Sequence, residues 1–370
     1  VATEQTEEFR VVFAGGGTGG HLYPAIALAE AFQKRPIKFS CVFIGTPYGI
    51  ENKVLPPLGY RLHLIWMRGL QRKLSPANLL FPVRLMVSAL QCCRLFAKFK
   101  PHVVIGTGGY VSGPALLAAR WRSIPHLVQE QNSFPGLATR RFSKHADAVF
   151  LTFEESRKFF PATANVRVVG NPVRGSLQQG SRGEAIKKWN LRREATTILV
   201  FGGSQGARRI NQIILEILPA LCEKPGLQIL WATGSAGFAE IQEKCKGQSS
   251  VRVLPYIEQM SLAYAAADFV ICRAGATTLA ELALCGVPSI LIPFPFATAD
   301  HQTFNAAAVQ RAGAAIMISE KDLTADKLLA RINELIDSPQ RHREMAEAAR
   351  SLAKPRAAED IVEFCLSFAQ

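Results

Sequence analysis

The chain has 370 residues, enough for two domains with separate cores, and its 48% hydrophobic and 19% charged residues describe an ordinary globular composition. Its net charge of +14 is uneven: residues 1–174 carry 22 Lys and Arg against 9 Asp and Glu, the remainder 21 against 20. Eight cysteines with no C-x-x-C pair exclude a zinc ribbon and a disulfide framework, and no apolar run of about eighteen residues escapes Gly, Pro or charge.

Those cysteines sit mostly in apolar segments, as free thiols do in a reducing compartment. The first ten residues, VATEQTEEFR, are acidic and polar, the opposite of a secretory signal, so a cytosolic chain without a spanning helix is expected. The basic first half suits nucleic acid, anionic lipid or simple solubility.

Residues 9–13 read as a short buried strand, and Leu22, Ile26, Ala29 and Phe32 recur at helical spacing. Between them lie five glycines in six residues, 15–20. Such a loop lets backbone N–H groups approach a ligand, and the helix start adds about half a positive charge, which suits phosphate or developing anionic charge. Gly15-x-Gly17-x-x-Gly20 also satisfies the dinucleotide fingerprint. The nicotinamide reading fails one step on. The next strand, FSCVFIGTPYG, meets no acid to hold a ribose until Glu51, and His21 follows the glycines directly. No G-x-x-x-x-G-K-[ST] is present, which excludes a P-loop ATPase.

Further strands are expected at 40–44, 103–105, 126–129 and 148–151, then at 198–201, 228–232, 251–254, 269–272 and 289–292, with helical patterns between them. The alternation argues a doubly wound α/β fold. VVGNPVRGSLQQGSRG, 168–183, has the density of a linker, so the boundary is placed at Arg174. The expected organisation is a first domain 1–174, a second 175–338, and a last helix 339–370 that packs back on the first. The second half restarts as the first did, because TILVFGGSQGARRINQIILEIL is again strand, glycine loop and helix. Two similar domains facing each other across a cleft would aim helix N-termini into it.

Within 66–100, Leu79, Leu80, Phe81, Val83 and Leu85 mix with Arg68, Arg72, Lys73, Arg84 and Arg94. An apolar surface ringed by cations suits attachment to anionic lipid; the alternative is a core helix with basic flanks. Residues after about 86 are assigned to the core and 68–85 to the membrane patch.

In the second half, CRAGATTLAEL leads a strand through Arg273, Ala274 and Gly275 into a helix whose start can take a diphosphate. Glu281 falls in its first turns, where a carboxylate can accept both hydroxyls of a ribose. Thr278-x-x-Glu281 also fits a capping box, which needs no ligand. A Pro-rich loop then delivers Asp300, His301, Gln302 and Asn305 to the same edge.

Eight ordered stretches, GGGTGGHLYPAIALAE, GTGGYVSGPALLAA, QEQNSFPGLATR, VVGNPVR, VFGGSQGARRIN, YIEQM, CRAGATTLAEL and DHQTFNAA, resemble the motifs of the MurG family, bacterial N-acetylglucosaminyltransferases of peptidoglycan synthesis. The resemblance covers nearly the whole chain. It implies a GT-B fold of two Rossmann-like domains, and transfer of N-acetylglucosamine from UDP to the muramyl 4-hydroxyl of lipid I, giving lipid II with inversion. It implies as partners UDP-N-acetylglucosamine, lipid I and, through the basic first domain, an anionic membrane. Nucleic acid is not expected, and the implied location is peripheral, on the cytoplasmic face of the inner membrane.

Carried over by position, Thr18, Gly19 and Gly20 line the donor–acceptor boundary and Asn132 touches the sugar. Arg174 and Ser204 serve the diphosphate, and Ile257 contacts uracil. Ala276, Thr277, Thr278, Leu279, Ala280 and Glu281 hold phosphate and ribose, and Gln302 reaches the sugar hydroxyls. The chain departs from the family in one place. Gln129 stands where His-Glu-Gln-Asn commonly begins, so no role of that histidine applies here.

An inverting displacement needs a base near the attacking hydroxyl and stabilisation of the departing UDP. His21, at a glycine-loop helix start, and Glu130, ending an apolar strand, are the base candidates, with His21 favoured. The alternatives are a helix-start residue that only bonds backbone and a structural cap. Arg174 and two helix N-termini suffice for the leaving diphosphate, so no metal or other cofactor is expected. The rivals are another nucleotide-sugar enzyme of the same fold, such as a diacylglycerol glycosyltransferase or a UDP-sugar 2-epimerase, and a silent sugar-nucleotide-binding protein.

Overall fold

The structure is a computed structural model that describes residues 8–69, 79–203 and 205–369. The chain forms two compact units, one of 1–174 with 354–370 and one of 175–353.

The first unit is built on a seven-stranded sheet: β1 Phe9–Gly15, β2 Phe39–Gly45, β3 Arg61–Leu64, β4 Val103–Gly108, β5 His126–Glu130, β6 Ala148–Leu151 and β7 Val166–Val168. Its order is β3-β2-β1-β4-β5-β6-β7 and every pairing is parallel. The second unit repeats the plan with β8 Thr196–Phe201, β9 Leu227–Ala232, β10 Val251–Leu254, β11 Phe269–Cys272, β12 Ser289–Leu291 and β13 Ala315–Met317, in the order β10-β9-β8-β11-β12-β13. Both are Rossmann-like.

Parallel strands covered on both faces must be apolar on both, which is why the central ones read as unbroken runs. β1 puts Val11 and Phe13 into one core with Leu22, Ile26 and Phe32 of the helix Gly19–Gln33, and Val12 and Ala14 into another with Cys92 and Phe96 of the helix Phe81–Phe99. In the second unit Ile198, Val200, Ile210, Ile214, Trp231 and Ile271 belong to one continuous core. In each sheet the strand order reverses beside the first strand, between β1 and β4 and between β8 and β11. Ligands of such sheets bind outside the C-terminal strand ends at that reversal.

Two expectations are corrected. The segment 339–370 is not one helix but two, Pro339–Ser351 in the second unit and Ala357–Leu366 in the first. Pro355 lies between them, and its ring and missing N–H break a helix across it. The second helix joins the core around Phe13 through Ala358, Ile361, Val362 and Cys365. The helix Phe81–Phe99 also does not pass from membrane patch to core at about residue 86. It is amphipathic throughout, burying Ser88, Ala89, Cys92 and Phe96 while exposing Val83, Met86 and Leu90 on the opposite face.

Candidate active site

The glycine loop of the first unit closes on an internal carboxylate. Glu51, fully buried, accepts the N–H of Gly17 at 2.9 Å with Oε2 and the N–H of Thr46 at 2.8 Å with Oε1. The Thr46 hydroxyl lies 3.2 Å from the Tyr110 hydroxyl. One acid therefore ties together the loops after β1 and β2, with the loop after β4 joined through Tyr110. A desolvated carboxylate is stable there because N–H donors replace its water. Glu51 thus uses a donor that a phosphate-binding loop would offer to its ligand.

His21 stands in the first turn of the helix Gly19–Gln33, half-buried. Its Nδ1 lies 3.1 Å from Oγ1 of Thr18, the residue preceding the helix. The imidazole ring packs on the backbone of Gly108 and Gly109. A Cβ at Gly108 would fall 2.5 Å from His21 Cδ2, and both glycines have left-handed φ, +104° and +77°. Gly108, the last residue of β4, and Gly109 after it leave room for that ring. The Thr107 hydroxyl donates to the His21 carbonyl at 2.8 Å, which fixes the helix start to β4. Gly19 and Gly20 complete this turn, and the Tyr23 ring lies against Gly19. The Arg174 guanidinium sits 5.4 Å from the centre of that ring, so Thr18, Gly19, Gly20, His21 and Arg174 come together at the first unit's strand-order reversal.

Glu130 has a different environment. It is buried, and its carboxylate accepts the N–H of Asn132 at 3.0 Å, the Asn132 side-chain amide at 3.2 Å and the N–H of Gly136 at 3.0 Å. Burial pushes its carboxyl above the usual range, partly opposed by these bonds. Glu130 and Asn132 thus brace the loop 131–136. Gln129 is also enclosed. Its Nε2 donates to Asn171 Oδ1 at 3.2 Å, and Gln131 donates to Gln129 Oε1 and to the Thr107 carbonyl. The position that departs from the family is part of a buried amide network.

In the second unit the helix Ala276–Cys285 begins directly after β11, with Gly275 before its first residue. Thr278 therefore lies inside the first turn, and the capping-box alternative for Glu281 is excluded. The N–H groups of Ala276, Thr277 and Thr278 have no carbonyl within the helix, whereas that of Leu279 donates to the Gly275 carbonyl at 3.0 Å. The Leu279 side chain is buried. Ala276 is buried too and has only its N–H to offer, while Ala280 is half-buried with an apolar side chain. The Thr277 hydroxyl is buried without a protein partner.

Glu281 Oε2 accepts the hydroxyl of Tyr264 at 2.8 Å. Tyr264 is buried in the helix Met260–Ala266; burial, then the Glu281 charge, push its phenol well above the ordinary range. Gln302 ties two loops together, its Oε1 accepting the N–H of Ala274 at 3.2 Å and of Phe294 at 2.9 Å. It stands at the start of the helix His301–Arg311, preceded by Ala299 and Asp300 with φ of +51° and +53°, which carries local strain. Asn305 is fully buried and donates to the Ala274 carbonyl at 3.4 Å. Arg273 is a strut: it donates to the Ile292 and Pro293 carbonyls and pairs with Glu320 at 2.5 Å. Ile257 is buried, in the loop between β10 and the helix of Tyr264. Ser204 lies outside the described residues. Among the described residues no three His, Cys, Asp or Glu side chains gather as a metal ion would require.

Sequence reasoning missed Glu51 as a ligand of the glycine loop and Tyr264 as the partner of Glu281. Each partner lies far off in sequence, 34 and 17 residues away, and no local pattern signals it.

Residues 11–151 match the glycosyltransferase family 28 N-terminal domain and residues 197–361 its C-terminal domain. With its two parallel Rossmann-like sheets the protein is therefore a GT-B glycosyltransferase of family 28. Curated relatives named UDP-N-acetylglucosamine–N-acetylmuramyl-(pentapeptide) pyrophosphoryl-undecaprenol N-acetylglucosamine transferase include that of Chlorobaculum parvum, 44% identical over 95% of this chain and 97% of the relative. That of Desulforudis audaxviator is 41% identical over 96% and 97%. The crystal structure of Acinetobacter baumannii MurG superposes with a TM-score of 0.76 at 31% identity, over 97% of this chain and 99% of that one. The chain belongs to the MurG family.

Proposed function

We infer that this protein transfers N-acetylglucosamine from UDP-N-acetylglucosamine to the 4-hydroxyl of the muramyl sugar of lipid I, forming lipid II with inversion. The observation that carries the reading is identity of 41–44% to transferases of that name over nearly the full length of both chains. Inversion requires one in-line displacement: the acceptor oxygen bonds to C1 of the sugar as the bond from C1 to the UDP oxygen breaks. His21 takes the hydroxyl proton. Its Nδ1 contact with Thr18 and its seat on Gly108 and Gly109 hold the ring in place for that role. Glu130 serves instead as the brace of the Asn132 loop, because its carboxylate is occupied by N–H donors.

In the second unit the uncommitted N–H groups at Ala276–Thr278 receive the diphosphate with the helix dipole behind them. Glu281 accepts the ribose hydroxyls, Ile257 lies against uracil, and Gln302 presents its amide to the sugar. The test is incubation with UDP-N-acetylglucosamine labelled in the sugar and a lipid I analogue. A lipid-soluble labelled product bears the reading out. Label found only in free sugar or in an epimerised nucleotide overturns it.

Peripheral attachment to the cytoplasmic face of the bacterial inner membrane belongs to the same reading. Leu79 is 81% exposed, and Leu80, Val83, Met86, Leu90 and Trp66 are exposed with it. Arg84 stacks on Trp66 at 5.7 Å, and Arg94 is exposed on the same helix. Arg72 and Lys73 lie outside the described residues. No helix of the described residues is long and apolar enough to cross a membrane, so attachment through this face rests on insertion of side chains and on charge.

A further inference from the structure

We propose that Tyr264 is a positioning residue for the donor: its hydroxyl fixes the Glu281 carboxylate in the orientation that accepts the ribose hydroxyls and so sets the preference for a ribonucleotide. The proposal rests on the assignment of Glu281 to the ribose.

A glutamate side chain has three rotatable bonds, and in a helix it ordinarily swings freely in solvent. Here one carboxylate oxygen is held at 2.8 Å by a phenol that is itself buried. Tyr264 is 2% exposed and meets Phe201 edge-on, ring centres 6.3 Å apart. Its helix, Met260–Ala266, packs beneath the helix that carries Glu281, so the donor comes from the core of the same unit. A buried phenol must find an acceptor, and this one finds it on the single carboxylate of the helix Ala276–Cys285. A bidentate interaction with two vicinal hydroxyls needs the carboxylate plane fixed to within a few tenths of an ångström. An ionised carboxylate accepts about four hydrogen bonds, so the Tyr264 bond fixes the group without exhausting it.

The experiment compares binding of UDP and 2′-deoxy-UDP to the full chain by calorimetry. The wild type should prefer UDP by about tenfold or more, the loss expected when a buried polar group goes unpaired. Tyr264→Phe removes one oxygen and keeps the ring against Phe201. It should weaken UDP by about tenfold and 2′-deoxy-UDP far less, raise the KM for the sugar nucleotide, and leave kcat and the acceptor KM within about twofold. Adding Tyr264→Phe to Glu281→Gln should cost nothing beyond Glu281→Gln alone, since the two act through one contact.

Equal weakening of both nucleotides by Tyr264→Phe, wild-type UDP affinity in that variant, or additive losses in the double variant each overturn the proposal. Equal affinity of the wild type for the two nucleotides overturns the ribose assignment of Glu281 itself, and the proposal with it.

Discussion

The Glu51 carboxylate accepts the N–H of Gly17 at 2.9 Å across 34 residues of sequence, so the glycine loop of the first unit is anchored from inside the protein. In a nucleotide-binding loop of this shape the backbone donors face an exogenous phosphate. In the second unit the helix start at Ala276–Thr278 follows β11, the counterpart of β4, and among the described residues no carboxylate is bonded to its N–H groups.

The Glu51 anchor predicts a specific loss. Glu51→Gln keeps the shape but turns an amide NH2 toward a backbone N–H, leaving one donor unsatisfied. Stability should fall by about 1–3 kcal/mol in denaturant titrations. Turnover should fall about tenfold as the Thr18–His21 geometry loosens, with UDP affinity unchanged. A Glu51→Gln protein with wild-type melting and wild-type turnover removes the anchor from the account.

Glu130 predicts a pH-dependent difference in stability. Burial raises its carboxyl above the ordinary 4.5, so the folded state holds the proton more tightly than the unfolded one. The stability linked to that proton is fully present below about pH 4.5 and is lost as pH rises through the raised folded value. Glu130→Gln cannot ionise and lacks this slope. The difference in unfolding free energy between the two proteins, followed from pH 4 upward, should shift in favour of Glu130→Gln as pH rises. A difference that is flat with pH contradicts the raised value.

The exposed apolar face predicts membrane behaviour. Each inserted side chain contributes about 1.5–3 kcal/mol at most and each nearby cation about 1 kcal/mol, enough for reversible attachment. Changing Leu79, Leu80 and Val83 together to Ser should reduce co-sedimentation with anionic vesicles and spare UDP binding. Phe81 is left intact because it packs against the core around Cys92 and Phe96. Added salt should weaken the remaining binding by screening the cations. If the folded triple variant sediments like wild type, the attachment surface lies elsewhere.

The sequence was most legible where physics repeats. All ten strands expected from apolar runs are present; nine are interior strands, whose two covered faces leave an unbroken apolar run, and the tenth, β10, is an edge. The three that escaped, β3, β7 and β13, are all sheet edges of three or four residues. β3, Arg-Leu-His-Leu, and β7, Val-Arg-Val, interleave polar residues because an edge is only partly covered. At the site, the turns carrying His21 and Glu281 were readable from glycine followed by helix. Their supports were not. Tyr264 looks like any aromatic residue in an apolar helix, and Glu51 like an acid at a loop, until the fold brings 281 to 264 and 17 to 51. The same blindness split the last helix, since the ownership of 354–370 is decided by the core around Phe13 and not by periodicity.

The central claim is that His21, held by Thr18 and seated on Gly108 and Gly109, is the base of glycosyl transfer. The measurement that tests it most directly is the turnover of His21→Ala at saturating UDP-N-acetylglucosamine and lipid I analogue, beside its UDP affinity. Loss of a general base should lower kcat by about 10²–10⁴ and leave UDP affinity within about twofold. Undiminished kcat in a folded His21→Ala protein, with turnover abolished instead by Glu130→Gln, would contradict the account.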